Sequence, residues 1–132
     1  MYPAAAIVLD QDALIDQQLY WSPIPTLEEA RFLTAILNST TIRLAVRPLQ
    51  PRGEHNPRDL CKYAFKLPIP LFDPSDETHQ ELVELAEYSE TVAFGTTLPP
   101  SRFETQRRFI RRALDEDGVA ADIDALVKAL LG

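Results

Sequence analysis

Residues 26–39 read TLEEARFLTAILNS, and this stretch carries the clearest structural signal in the chain. Thr26 followed by Glu29 is the capping-box pattern that begins a helix, because each side chain can bond the backbone amide of the other residue. Apolar residues then recur at helical spacing and share one face: Leu27, Ala30, Leu33, Ile36 and Leu37. Asn38–Ser39 suits the end of such a helix, since Asn tolerates a left-handed C-cap. The stretch therefore predicts a capped amphipathic helix.

The segments around this helix predict a mixed fold. Apolar runs with partial alternation indicate strands at 4–9, 14–21 and 61–69. Residues 41–49 indicate a second short helix or an extended arm. Further helices are predicted at 77–88, 102–114 and 122–131, the first behind the cap FDPSDE and the last two separated by DEDG. We therefore expect an α+β fold in which a small β-sheet packs with about four helices in a single domain spanning residues 1–132.

The length, the hydropathy and the cysteine count of the chain limit the class of protein it can belong to. Its 132 residues fit one domain or a piece of a larger one. It contains no apolar run long enough for a transmembrane helix, and its start lacks the basic residues of a signal peptide. A single cysteine, Cys61, forbids an internal disulfide and fits a reducing cytosol. We therefore expect a cytoplasmic protein with no membrane partner.

The charge of the chain is unevenly distributed. The net charge is −7, which argues against bulk electrostatic capture of nucleic acid. Residues 1–42 carry −4 and residues 67–101 carry −7, whereas residues 102–132 are balanced. Residues 43–66, by contrast, hold six basic and two acidic side chains and carry +4. This local reversal of sign is the best indication of a binding partner.

The basic segment contains the side chains that read nucleic acids. Arg, Gln and Asn can make paired hydrogen bonds to base edges, and Lys and Arg neutralise phosphates. PRGEHNP at 51–57 indicates a loop that could enter a groove of DNA. The candidate DNA-binding residues are Arg43, Arg47, Gln50, Arg52, His55, Asn56, Arg58, Lys62 and Lys66. The alternative is a solvated loop whose charges offset the acidic flanks.

A second basic cluster lies in the predicted helix 102–114. Its arginines recur at helical spacing: Arg107, Arg108, Arg111 and Arg112. They could meet phosphates or an acidic partner helix, but we favour pairing within the chain with the acidic helix 77–90.

Nothing in the sequence indicates an enzyme. His55 and Cys61 could form a nucleophile–base pair, but no third group to orient them is indicated. The two histidines and one cysteine are too few for a zinc site, and we expect His79 to be a surface or capping residue. DPSDE at 73–77 is better explained by helix capping than by cation binding. No glycine-rich phosphate loop or nucleophile elbow occurs, so we expect no cofactor, no metal and no catalytic residue.

Several segments, read in order, resemble one family. LIDQQLYW at 14–21, EEARFLTAILNS at 28–39, LPIP at 67–70, LFDPSDETH at 71–79, HQELVELAE at 79–87 and IDALVKALLG at 123–132 carry the resemblance. Together they resemble the C-terminal target-recognition region of large N6-adenine DNA methyltransferases of restriction-modification and phage-defence systems, including the type IIG-like enzymes that join methylation and cleavage. In that family a variable basic stretch separates the segment like LNS from the segment like LPIP.

This resemblance implies a role in DNA recognition without catalysis. The family's methyl-donor site and its adenine-holding aromatic tetrapeptide have no counterpart here. The expected partners are therefore DNA and a methyltransferase catalytic domain or subunit. The family's reading loops vary, so the candidate residues in 43–66 rest on their chemistry and not on the resemblance. The alternative from another class is a protein–protein adaptor that does not bind DNA.

Overall fold

The computed structural model describes residues 7–8, 11–15, 21–50 and 63–132. Within these residues the helices are α1 (Leu27–Asn38), α2 (Thr40–Val46), α3 (Glu77–Gly95), α4 (Phe103–Asp117) and α5 (Val119–Leu131), and a 3-10 turn (Arg47–Leu49) follows α2. The part of the chain that the structure describes contains no strand. The prediction of an α+β fold with a small sheet is therefore wrong, and the observed fold is all-helical.

The predicted strand at 61–69 shows why the fold class was misread. In its described part Tyr63 and Ala64 are helical, and a turn follows in which Lys66 N donates to Tyr63 O at 3.1 Å and Leu67 N donates to Ala64 O at 3.2 Å. Ala64 is buried whereas Phe65 is 64% exposed, which reverses the predicted alternation. The two prolines of LPIP that follow lack the N–H group needed for a sheet ladder.

The other two predicted strands lie largely outside the described residues. Of 4–9 and 14–21, the structure describes only residues 7–8, 14–15 and 21, and these are irregular. Neither segment therefore supplies an observed strand.

Helix α1 forms where the capping pattern predicted it. The Thr26 hydroxyl accepts a hydrogen bond from Glu29 N at 3.2 Å, which satisfies one of the free amides of the first turn. The buried face consists of Phe32, Ala35 and Ile36. Leu27, predicted to face inward, is 46% exposed, so the buried face is rotated relative to the predicted one.

A single side chain ends α1 and begins α2. Ser39 is buried; its hydroxyl donates to Ile36 O at 2.7 Å and accepts from Ile42 N at 3.1 Å. The predicted helix end at Asn38–Ser39 is confirmed, but Ser39 has extended backbone and no left-handed Asn cap is used. Of the two alternatives for residues 41–49, the structure adopts the short helix.

Helix α3 is the long central helix. Its predicted cap is confirmed, because the Asp76 carboxylate accepts from His79 N at 3.1 Å. The helix continues to Gly95, well beyond the predicted end at residue 88. Asp73 folds back on Ser75, and the hydrogen bond from the Ser75 hydroxyl holds the pKa of the Asp73 carboxyl below its usual value.

His79 is part of the core, which corrects its assignment as a surface or capping residue. It is 5% exposed, and its ring centroid lies 4.5 Å from that of Phe32. Its Nδ1 atom accepts a hydrogen bond from Asp73 N at 2.9 Å. An acceptor Nδ1 leaves the proton of the neutral ring on Nε2. The histidine therefore fastens the segment before α3 onto α1.

Helices α4 and α5 are joined by one residue instead of the predicted DEDG linker. Gly118 has φ of 99°, a left-handed conformation that favours glycine at a helix end. The predicted ends of both helices therefore move inward to Asp117 and Val119.

The core lies where α1 packs along α3, with α5 closing against both helices. Its largest fully buried side chains are Phe32, Ile36, Ile42, Val46, Leu82, Val119 and Val127. Helix α2 reaches the same core through Ile42 and Val46, which fixes where the basic segment begins.

Candidate nucleic-acid interface

The basic segment begins on a helix that is anchored at its first turn. The Asp124 carboxylate of α5 accepts from Thr41 N at 3.0 Å, and the Thr41 hydroxyl donates to Asp124 O at 3.2 Å. Ile42 and Val46 lie in the core, at 1% and 0% exposure. Helix α2 therefore has a fixed orientation on the helical body.

The two described arginines of this region differ in exposure. Arg43 is half-buried and Arg47, at the start of the 3-10 turn, is exposed. Because Ile42 and Val46 occupy the core side, the two arginines are held on a rigid element at the edge of the fold. This placement suits contacts to phosphates.

Gln50 differs from the other described candidates. It is only 8% exposed, and it already takes part in an interaction within the protein. Its amide is therefore poorly placed to read a base, in contrast to the prediction from residue chemistry.

Lys66 lies at the far end of the basic segment. It is exposed, and its Nζ atom lies 4.8 Å from the centroid of the Tyr63 ring. Two residues before it, Ala64 is 2% exposed and belongs to the same core cluster as Ile42 and Val46. Both ends of the basic segment therefore return to one helical core.

The middle of the segment lies outside the described residues. This applies to Arg52, His55, Asn56, Arg58 and Lys62. It also applies to Cys61, so the His55–Cys61 pair remains a sequence-based consideration.

The acidic helix α3 forms ion pairs with Arg31 of α1, which the sequence did not predict. Arg31 contacts Glu90 through Nε at 3.3 Å and Nη2 at 3.0 Å, and Glu87 through Nη1 at 3.3 Å. The hydrogen bond to Glu90 is the main cause that raises the pKa of Arg31. Position 31 lies within α1, and the sequence contained no sign that it would face α3.

Two of the α4 arginines have other partners. Arg112 Nε contacts Glu116 Oε1 of its own helix at 2.6 Å. Arg111 Nη1 donates to Asn38 O at 3.2 Å, which connects α4 to the end of α1. The preferred sequence interpretation, pairing with helix 77–90, is wrong for these two side chains.

A cleft that the sequence did not reveal opens between α1, α3, α4 and α5. It measures about 580 Å³ and is lined mainly by apolar side chains. Residues from each helix contribute, among them Leu27, Ala35, Phe94, Ile110, Leu114 and Ile123. Phe94 is 92% exposed at its edge. Because α3 was expected to end before this residue, the cleft could not be anticipated.

Among the described residues, no group of three or more His, Cys, Asp or Glu side chains is placed to hold a metal ion. None of the described helices is both long and apolar enough to cross a membrane.

Neither a protein-family model, nor a curated protein, nor a solved structure matches this chain. The motif resemblance and the placement of the side chains are therefore what bears on its function.

Proposed function

We propose that this chain is a non-catalytic DNA-recognition module of the kind found in restriction-modification adenine DNA methyltransferases. The basic segment 43–66 is the DNA-binding part. The observation that carries the proposal is that this +4 segment begins and ends on one helical core. The ordered motif resemblance supports the same role.

The two described ends of the segment, 43–50 and 63–66, have a defined place on the helical body. Ile42 and Val46 hold the first end and Ala64 holds the second. Arg47 and Lys66 are exposed beside these anchors. A loop that carries recognition side chains on a rigid scaffold loses less conformational freedom on binding than a free chain does.

Charge sets the strength of this binding. With +4 in the segment and −7 in total, the rest of the chain carries −11 and repels DNA. Binding therefore depends on a few phosphate contacts and falls as salt rises, since each contact releases counterions. A methyltransferase catalytic domain or subunit would supply further DNA contacts and the chemistry.

The role of Arg47 can be tested by fluorescence anisotropy with a labelled duplex. We expect Arg47→Ala to weaken binding and to lower the slope of log affinity against log salt by about 1, the loss of one phosphate contact. Lys128→Ala is the matched control, because Lys128 is exposed on α5, outside the basic segment. Equal affinity and slope for both variants and the wild type would show that Arg47 does not contact DNA.

The cleft supports a second candidate function, a protein–protein adaptor without DNA binding. Apolar grooves between helices are sites where amphipathic helices of partners bind. This function predicts that Arg47→Ala leaves partner binding unchanged and that no salt-dependent DNA binding occurs. The same titration therefore separates the two functions.

A further inference from the structure

Helix α4 is unusual among the helices described because it buries none of its residues. Each of α1, α2, α3 and α5 contributes at least two buried side chains to the core, and α4 contributes none. Phe103 is 67% exposed and Phe109 is 45% exposed on it. The two residues are six positions apart and lie on different sides of the helix, and Phe109 exposes apolar surface on its outer side.

The acidic residues in the last turn of α4 lie where the helix dipole favours cations. Apart from Glu104, the charges of its first three turns are basic, at Arg102, Arg107, Arg108, Arg111 and Arg112, whereas Asp115, Glu116 and Asp117 fill the last turn. A helix dipole favours anions near the N-terminus and cations near the C-terminus. The three acids of the last turn therefore oppose the dipole of α4, although Glu104 in the first turn accords with it and Glu116 pairs with Arg112 within the helix.

The outer face of α4 is self-complementary in the antiparallel direction. Residues 105, 109, 112 and 116 follow one another at spacings of three and four, so they share one face of the helix, and the N-cap residue Arg102 stands at the N-terminal end of that face. Phe109 stands seven residues after Arg102 and seven before Glu116. If two copies of the helix lie antiparallel and cross at Phe109, Arg102 of each copy is opposite Glu116 of the other copy.

We propose that this outer face of α4 docks a second copy of the chain, with the two α4 helices antiparallel and crossing at Phe109. Phe109 of each copy contacts its equivalent at the twofold axis. Arg102 of one copy pairs with Glu116 of the second copy, and the reverse pair forms at the other end. A twofold interface requires this kind of reciprocal contact.

The existing partner of Glu116 is compatible with this arrangement. Its pair with Arg112 is exposed, with 79% and 64% of the two side chains accessible. A carboxylate can accept several hydrogen bonds, so Glu116 can bond Arg112 and an arginine of the second copy together. An exposed pair contributes little by itself. The second arginine and the burial of Phe109 would make the pair more favourable.

Sedimentation velocity of the full chain, without DNA, tests this proposal. Since one helix per copy is small beside a standard interface of about 1,600 Å², we expect a weak dimer in the micromolar range that dissociates further in high salt. Phe109→Asp should raise the dimer dissociation constant at least about tenfold, as expected for a central aromatic residue. Phe65→Asp is the matched control, because Phe65 is also exposed but lies outside α4.

A charge exchange keeps the test independent of any folding defect in the Phe109 variant. Arg102→Glu and Glu116→Arg should each weaken the dimer, and the double variant should restore it. A monomer at every concentration, a dimer unaffected by Phe109→Asp, or no recovery in the double variant would overturn the proposal. Because DNA is not present, the outcome does not depend on the proposed DNA binding.

Discussion

Helices α1 and α4 both pack on α3, but different contacts hold them there. Helix α1 places Phe32 and Ile36, each at 0% exposure, in the core and pairs Arg31 with α3. Helix α4 buries no residue and is joined to α3 by contacts such as the 2.8 Å hydrogen bond from Tyr88 to Asp117. The difference indicates that α1 contributes more than α4 to the free energy of unfolding, whereas α4 leaves more of its surface accessible to a partner.

The largest expected effect comes from removing one phenylalanine from each helix. Phe32→Ala should lower the free energy of unfolding by about 3–5 kcal/mol, because it leaves a cavity in the packed core. Phe109→Ala, its matched control at 45% exposure, should change the stability of the monomer far less. Urea unfolding at a low protein concentration measures both. Equal losses would mean that α4 is as much a part of the core as α1.

A smaller effect is expected at the joint between α1 and α2. Ser39→Ala removes a hydroxyl that serves both helices and should cost about 1–2 kcal/mol. Ser101 supplies the comparison, since it is exposed before α4 and its hydroxyl reaches only Pro99 O at 3.3 Å. Thermal unfolding should show a lower midpoint for Ser39→Ala and little change for Ser101→Ala. A similar midpoint for both variants would show that the Ser39 hydroxyl does not stabilise the junction of α1 and α2.

The smallest effect is expected at the glycines that end α4 and α3. Gly118→Ala forces a side chain into a left-handed conformation at φ 99° and should cost about 1 kcal/mol, although nothing lies within 4 Å of the added carbon. Gly95→Ala meets no neighbour either and has no positive φ, so it should be neutral or slightly stabilising. Chemical denaturation of the two variants measures the cost of the backbone strain at Gly118. Equal stabilities of Gly118→Ala and Gly95→Ala would contradict this strain.

Signals that act within a few residues were enough to predict where α1 begins and ends and where α3 begins. The Thr26 cap, the Asp76 cap and the Ser39 boundary each satisfy backbone groups nearby, so the residues that form them are adjacent in the sequence. The alternation at 61–69 predicted the wrong side chains as buried. Ala64 packs inward and Phe65 is exposed, and this depends on the distant helices that cover Ala64. The strand predicted at this segment contributed to the wrong prediction of an α+β fold.

The candidate site was predictable only in its composition. The sign reversal at 43–66 is visible in the sequence, as is the chemistry of Arg47 and Lys66. The burial of Gln50 and the pairing of Arg31 with Glu90 depend on tertiary packing, which residue types do not reveal. The cleft between α1 and α4 required four helices to be placed before it could be recognised.

The most direct test of the account is a titration of labelled duplex DNA with the wild-type chain and the Arg52→Ala/Arg58→Ala variant. Measurements at about 50 mM and about 200 mM salt separate electrostatic binding from other effects. We expect binding at low salt, marked weakening at the higher salt, and lower affinity of the variant at both. Absence of binding at low salt, alone and with a methyltransferase catalytic subunit, would contradict the proposed DNA recognition.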